Sequence, residues 1–244
     1  MNQYEQQAYQ EMLNWERNIL KKKSPFQQLS KNVQNKINSY VPEKAHEIVT
    51  EAIKHMVKTT LVGSDFTTKK NQTVGMNLEE KEKIVQQKLE SYRKTATIEG
   101  AGTGAGGIFL GLADFPLLLS IKMKFLFEVA SIYGFDTKKY DERLFLLHVF
   151  QLAFSNDDKR RETFYFIKHW AEEKTRLTDM DWREFQQEYR DYIDLIKLFQ
   201  MIPGLGAIVG AYANYNLLDQ LGETAKNAYR TRIYDSNEEK LIIP

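Results

Sequence analysis

Six glycines stand between positions 100 and 111, in the stretch EGAGTGAGGIFLGLADFP, residues 99–116. Each costs about 1 kcal/mol against alanine inside a helix, because glycine loses the most backbone freedom on ordering. A chain that carries such a cluster must gain something from it, and three uses come forward: cradling a phosphate, entering a membrane, or letting helices touch. As text, Gly102, Gly104 and Gly107 satisfy G-x-G-x-x-G. That fingerprint works only when a strand delivers the turn and a helix aims its free N–H groups at a pyrophosphate. Here the preceding EEKEKIVQQKLESYRKTATIE reads as a charged helix, and no lysine follows closely enough for a phosphate loop. Nucleotide binding through this segment is not expected.

Placed on one helix, Gly100, Gly104, Gly107 and Gly111 fall at spacings of 4, 3 and 4 and form a single stripe. A stripe without side chains lets another backbone approach closely. The segment MIPGLGAIVGAYANYNLLDQLGETAKNAY, from Met201, follows the same plan: a break at Pro203 and Gly204, then Gly206, Gly210, Ala213 and Asn214 at helical spacing. The two segments are expected to cross in the core. From Gly100 to Ile121 the only charge is Asp114, and 22 helical residues would reach about 33 Å, close to a bilayer's apolar thickness. Asp114 and Pro116, however, read as the cap and first turn of a fresh helix, and the mean hydropathy of −0.52 favours a packed soluble core over a membrane span.

The rest of the chain carries helical periodicity with helix punctuation, and no segment alternates as a strand must. Tyr4, Ala8, Met12, Trp15 and Ile19 share one face of a first helix, which stops before Ser24 and Pro25. A second helix is expected over 25–40 and a third from Pro42 or Glu43. LVGSDFTTKKNQTVGM, residues 61–76, loses the period and reads as a flexible loop. Asn77 and Glu80 form a capping box for the charged helix. Gly134 reads as a C-cap and Asp136 as the next N-cap, followed by DERLFLLHVFQLAF, apolar on most sides and so a buried central helix. Helices over 157–175, 178–200 and 205–234 complete the reading. The fold class is all-α: one domain over residues 1–244, about nine helices, with N-terminal helices over 1–60 and a core over 77–244.

The composition sets limits on chemistry. No cysteine is present, which removes disulfides, zinc thiolates and a thiol nucleophile. The formal charge of +1 comes from interleaved acids and bases, without the cationic stripe that nucleic acid requires. The N-terminal segment carries no uninterrupted apolar stretch of a secretory signal, so a cytoplasmic location is expected. None of His46, His55, His148 and His169 takes a zinc-peptidase spacing. His148 reads as a satisfied core residue and His169 as half-exposed. There is no G-x-S-x-G. The pairs Asp157–Asp158 and Asp179–Asp181 stand where helices are expected to begin, and capping accounts for them. Glu99 and Asp114 differ, since both sit in small, apolar surroundings where an acid needs a partner. On one continuous helix they would lie about 22 Å apart and could share a site only through a fold-back. Trp182, Phe185, Tyr189 and Tyr192 could present an outward protein-binding face or an inward core face.

The glycine cluster, the LADFP junction, YGFD and the late IPGLGAIVGAYANY together resemble the EcsC family, bacterial proteins named from an operon that encodes an ABC transporter. The likeness runs from about Met76 to Ile233. It implies a soluble helical protein working near an ABC transporter or the inner membrane face, and it brings no catalytic residues. The motif positions in this chain are Glu99, Gly100, Gly104, Gly107, Asp114, Pro203, Gly206, Gly210 and Asn214. The leading expectation is a non-enzymatic accessory protein with a protein partner, without cofactor or metal. The alternative is a hydrolase-like enzyme or a small-ligand or lipid-binding protein that uses Glu99, Asp114 and Asn214.

Overall fold

The computed structural model describes the backbone at residues 1–21, 43–62, 68, 73–103, 107–155, 159–179 and 210–242, and the side chains of these except at 43, 45–46, 96–103, 107–114, 177–179, 210–216 and 236–242. The described residues form eight α-helices and no strand: α1 Gln3–Leu20, α2 Glu43–Val62, α3 Leu78–Thr103, α4 Gly107–Tyr133, α5 Tyr140–Phe154, α6 Arg160–Lys168, α7 Trp170–Asp179 and α8 Gly210–Ile242. The expected helix over 25–40 lies outside the described residues, as do 63–67 and 69–72 of the expected loop.

Local chemistry explains where several helices begin and end. Asn2 and Glu5 form a reciprocal capping box on α1, each backbone N–H meeting the other's side chain at 2.8 Å. Asn77 and Glu80 do the same before α3, at 2.9 and 3.0 Å. Gly134 closes α4 with φ +99°, a conformation that favours glycine. Its N–H reaches Ser131 O at 3.1 Å and the Phe135 N–H reaches Ala130 O at 3.0 Å, which completes a Schellman motif.

Packing follows the apolar faces. α1 buries Ala8, Met12 and Trp15, and α5 is buried at every position from Leu144 to Phe154. α3 and α4 form an antiparallel hairpin: Lys81 Nζ donates to Tyr133 O at 3.2 Å, Lys88 pairs with Glu128 at 2.8 Å, and the Tyr92 and Phe125 rings meet at 5.6 Å. α8 runs antiparallel to α3 through Arg230–Glu82, Gly222–Leu89 and Asp219–Arg93. It also runs antiparallel to α5, from Tyr229–Glu142 at one end to Gln220–Ala153 at the other. α6 and α7 cover the remaining side, with Phe164 edge-on to Trp15 and Trp170 edge-on to Phe145.

Several expectations need correction. Asp114 and Pro116 do not open a new helix, because α4 runs from Gly107 straight through both. Phe115, Leu118 and Leu119 are all buried on the α4 face, and that burial outweighs the donor that proline lacks. The glycines do not form one stripe on one helix. α3 ends at Thr103 and α4 begins at Gly107 in the opposite direction, so Gly100 stands on a different helix from Gly107 and Gly111. Asp136 makes a turn, accepting from the Lys138 N–H at 3.1 Å, and α5 starts four residues later at Tyr140. The expected single helix over 157–175 breaks at His169, where the chain turns so that Trp170 joins Phe164 and Ile167 in the core. Asp179 ends α7 and does not open the next helix. α8 runs on to Ile242, past the expected end at Tyr234. Among the described residues, no helix is long and apolar enough to cross a membrane.

Candidate functional site

The strongest concentration of polar chemistry is a buried network at the Leu78 end of α3, where α1, α3, α4 and α8 meet. Arg230, on α8, holds Glu82 in a two-pronged pair, Nε to Oε1 at 2.7 Å and Nη2 to Oε2 at 2.6 Å. Its Nη1 donates to Glu11 Oε2 at 2.9 Å and to Ala8 O at 3.3 Å. Glu82 also accepts from the Tyr4 hydroxyl at 2.6 Å and the Tyr133 hydroxyl at 3.1 Å. Four hydrogen bonds therefore reach one carboxylate that is 5% exposed. Burial opposes the charge on Arg230, but Glu82 and then Glu11 more than offset it, and the guanidinium is held above its ordinary range.

A second pair lies beside the first. Arg232 Nη1 donates to Glu142 at 2.8 and 3.0 Å, and Glu142 also accepts from the Tyr229 hydroxyl at 2.7 Å. The Arg232 guanidinium lies 4.1 Å from the Phe135 ring centroid and 4.2 Å from that of Phe145. Burial pushes the Glu142 carboxyl upward, and Arg232 and Tyr229 pull it back only in part. The two pairs are joined by the Tyr133 and Tyr229 rings, stacked at 5.2 Å. Both phenols are pushed well up, first by burial and then by the carboxylate each one faces. What the network does is fix the register of five helices, α1, α3, α4, α5 and α8.

The motif residues fall elsewhere. On the backbone, Glu99 and Gly100 lie in the last turns of α3, Gly107 and Asp114 in the first turns of α4, and Gly210 and Asn214 in the first turns of α8. The antiparallel register gathers these positions at one end of the bundle, opposite the Arg–Glu network. The α3–α4 hairpin is the fold-back that Glu99 and Asp114 require to reach one end. The side chains of Glu99, Asp114 and Asn214 lie outside the described residues. Gly104, Pro203 and Gly206, the expected crossing of the two glycine segments, and Trp182, Phe185, Tyr189 and Tyr192 lie outside them as well. The described glycine with a close neighbour is Gly222: a Cβ there would stand 3.0 Å from Leu89 Cδ2.

His148 is a core residue, 3% exposed, with Nδ1 3.0 Å from Gln151 Oε1, and burial lowers its pKa to about 4. His169 is half-buried against the Tyr165 ring at 4.2 Å. Among the described residues, no group of three or more His, Asp or Glu could hold a metal ion. Reading the sequence missed Glu82, Arg230, Glu142 and Arg232. Glu82 stands in LEEKEK, where nothing separates it from its solvated neighbours. Arg230 did leave a signal: it falls one turn after the small, buried Asn227 on a face continued by Tyr234.

Known proteins resemble this chain over most of its length. Protein EcsC of Bacillus subtilis (strain 168) is 56% identical over 224 residues, which cover 92% of this chain and 94% of that protein. YdbA of the same organism is 27% identical over 256 residues, covering 93% of this chain and 91% of that protein. No solved structure matches. The model of the EcsC protein family matches residues 6–234, from the second turn of α1 through the pairs that α8 makes with α3 and α5. The chain therefore belongs to the EcsC protein family.

Proposed function

We propose that this protein is a non-enzymatic accessory protein that binds a protein partner, an ABC transporter, from the cytoplasmic side of the membrane. One observation carries the non-enzymatic part: among the described residues, the two buried carboxylates are engaged by arginines and tyrosines of the fold itself. Glu82 receives four hydrogen bonds and keeps no free lone pair, while Glu142 receives three, from Tyr229 and Arg232, and its carboxylate is buried with them. A general base needs such a lone pair within reach of the proton it removes. The partner is supported by the family's name, taken from an operon that encodes an ABC transporter.

The test is flotation of native membranes from cells that make the tagged chain, followed by gentle solubilisation and affinity capture. The expected outcome is that the chain floats with the membranes and co-purifies with subunits of an ABC transporter. A chain that stays in the soluble fraction and captures no transporter subunit overturns the reading.

A further inference from the structure

One buried charge lies outside both Arg–Glu pairs. Lys122, in the middle of α4, is 1% exposed, and among the described residues its Nζ has no hydrogen-bond partner. It is the one buried lysine among the described residues. Its neighbours one turn away on α4, Leu118, Leu119, Phe125 and Leu126, are all buried and apolar. The Lys88–Glu128 and Arg93–Asp219 contacts set the register across the bundle and put Lys122 level with Lys94 on α3 and with the buried Leu218 on α8. Arg93 and Asp219 pair with each other, which leaves that acid engaged. A lysine on a helix leans toward the helix N-terminus by about one turn. For Lys122 the α4 N-terminus lies away from the Arg–Glu network, toward the level at which α3 carries Glu99 and α8 carries Asn214.

Burial lowers the Lys122 pKa from 10.5 to about 8, so the ammonium form still prevails at neutral pH. A buried cation with no counter-charge is unfavourable. In the same low-dielectric surroundings, an anion brought to it is held far more strongly than at the surface.

We propose that Lys122 is the anchor of an internal binding site for an amphipathic anion, a carboxylate or phosphate head on an apolar chain, reached from the end of the bundle where α3 stops and α4 and α8 start. The head is selected by the ammonium, a compact point charge that serves either oxyanion. The tail is selected by Leu118, Phe125, Leu126 and Leu218, which offer only apolar surface. This site goes beyond the proposed function and stands or falls without it, since a transporter can be bound with the site empty or filled.

The experiment is thermal unfolding of the purified full chain with decanoate, decyl phosphate or decanol, each below its micellar concentration, with Lys122→Met in parallel. The expected result is a saturable rise in Tm with one or both anions and none with decanol, lost in Lys122→Met. A response to decanoate alone assigns a carboxylate head, and a response to decyl phosphate alone a phosphate head. Equal shifts with decanol, no shift with either anion, or an undiminished shift in Lys122→Met overturns the site. Should Lys122→Met not fold, the decision passes to the unaltered chain labelled with 15Nζ-lysine. A solvent-protected Nζ resonance that moves with the anions and not with decanol supports the site, and one that moves with neither overturns it.

Discussion

Arg230 illustrates what it takes to keep a guanidinium inside a helical bundle. Five acceptor atoms surround it, drawn from α1, α3 and α8. Removing one partner of such a pair strands the other, which costs about 3–5 kcal/mol, whereas replacing both by apolar groups is far milder. Arg230→Met is therefore expected to lose about that much stability in urea unfolding, and Glu82→Met with Arg230→Met to lose less than either single variant. A double variant as damaged as the sum of the singles would show that the two side chains act independently. At this scale the sequence is a poor guide, because it records residue types and not depth: Glu82 is chemically the same as the exposed Glu79 and Glu80 beside it. Lys122 was missed for the same reason. It sits four residues from Leu118 and four from Leu126, but the exposed Lys124 stands two residues away and is chemically the same.

Helices were read well where short-range chemistry sets their ends and badly where tertiary packing does. The capping box at Asn77 and the glycine stop at Gly134 depend on residues within one turn, and both are present. Pro116 is the opposite case. By itself it signals a helix start, but its neighbours Phe115, Leu118 and Leu119 are fixed by helices distant in sequence. The same blindness affected the glycines, since helical spacing cannot reveal that Gly100 and Gly107 stand on two antiparallel helices. The contact that spacing missed can be tested. An added Cβ at Gly222 meets Leu89 Cδ2 at 3.0 Å and Cδ1 at 3.1 Å, on a side chain whose end can move only slightly inside the core. Gly222→Val is expected to destabilise the chain by about 1–3 kcal/mol in chemical unfolding. Leu89→Ala should remove most of that added cost when the two are combined, giving a coupling that additive effects would not show.

For the molecule as a whole, the apolar pattern sufficed to announce an all-helical fold, and DERLFLLHVFQLAF announced its central helix, buried at every position from Leu144 onward. That burial has a consequence for acid stability. His148 has a folded pKa near 4, below its ordinary 6.5, because burial disfavours the imidazolium; Arg176 acts in the same direction, and Gln151 and Glu173 against it. As the pH falls, the unfolded chain takes up this proton first. The His148 contribution is therefore intact above pH 6.5 and is lost as the pH falls through about 4. A shift of this size is worth about 3 kcal/mol. Urea midpoints measured from pH 7 down to 4 are expected to fall more steeply for the unaltered chain than for His148→Gln; parallel curves would remove the histidine from the account.

The cations of both buried pairs stand on α8, the last of the described helices, while the carboxylates they neutralise stand on α3 and α5. During synthesis, when domains form as the ribosome delivers them, Glu82 and Glu142 emerge long before Arg230 and Arg232. The earlier helices are thus made with acidic groups that cannot yet be sealed inside, and final closure waits on the arrival of α8. Completion of the interior is timed by the order of the letters as well as by their chemistry.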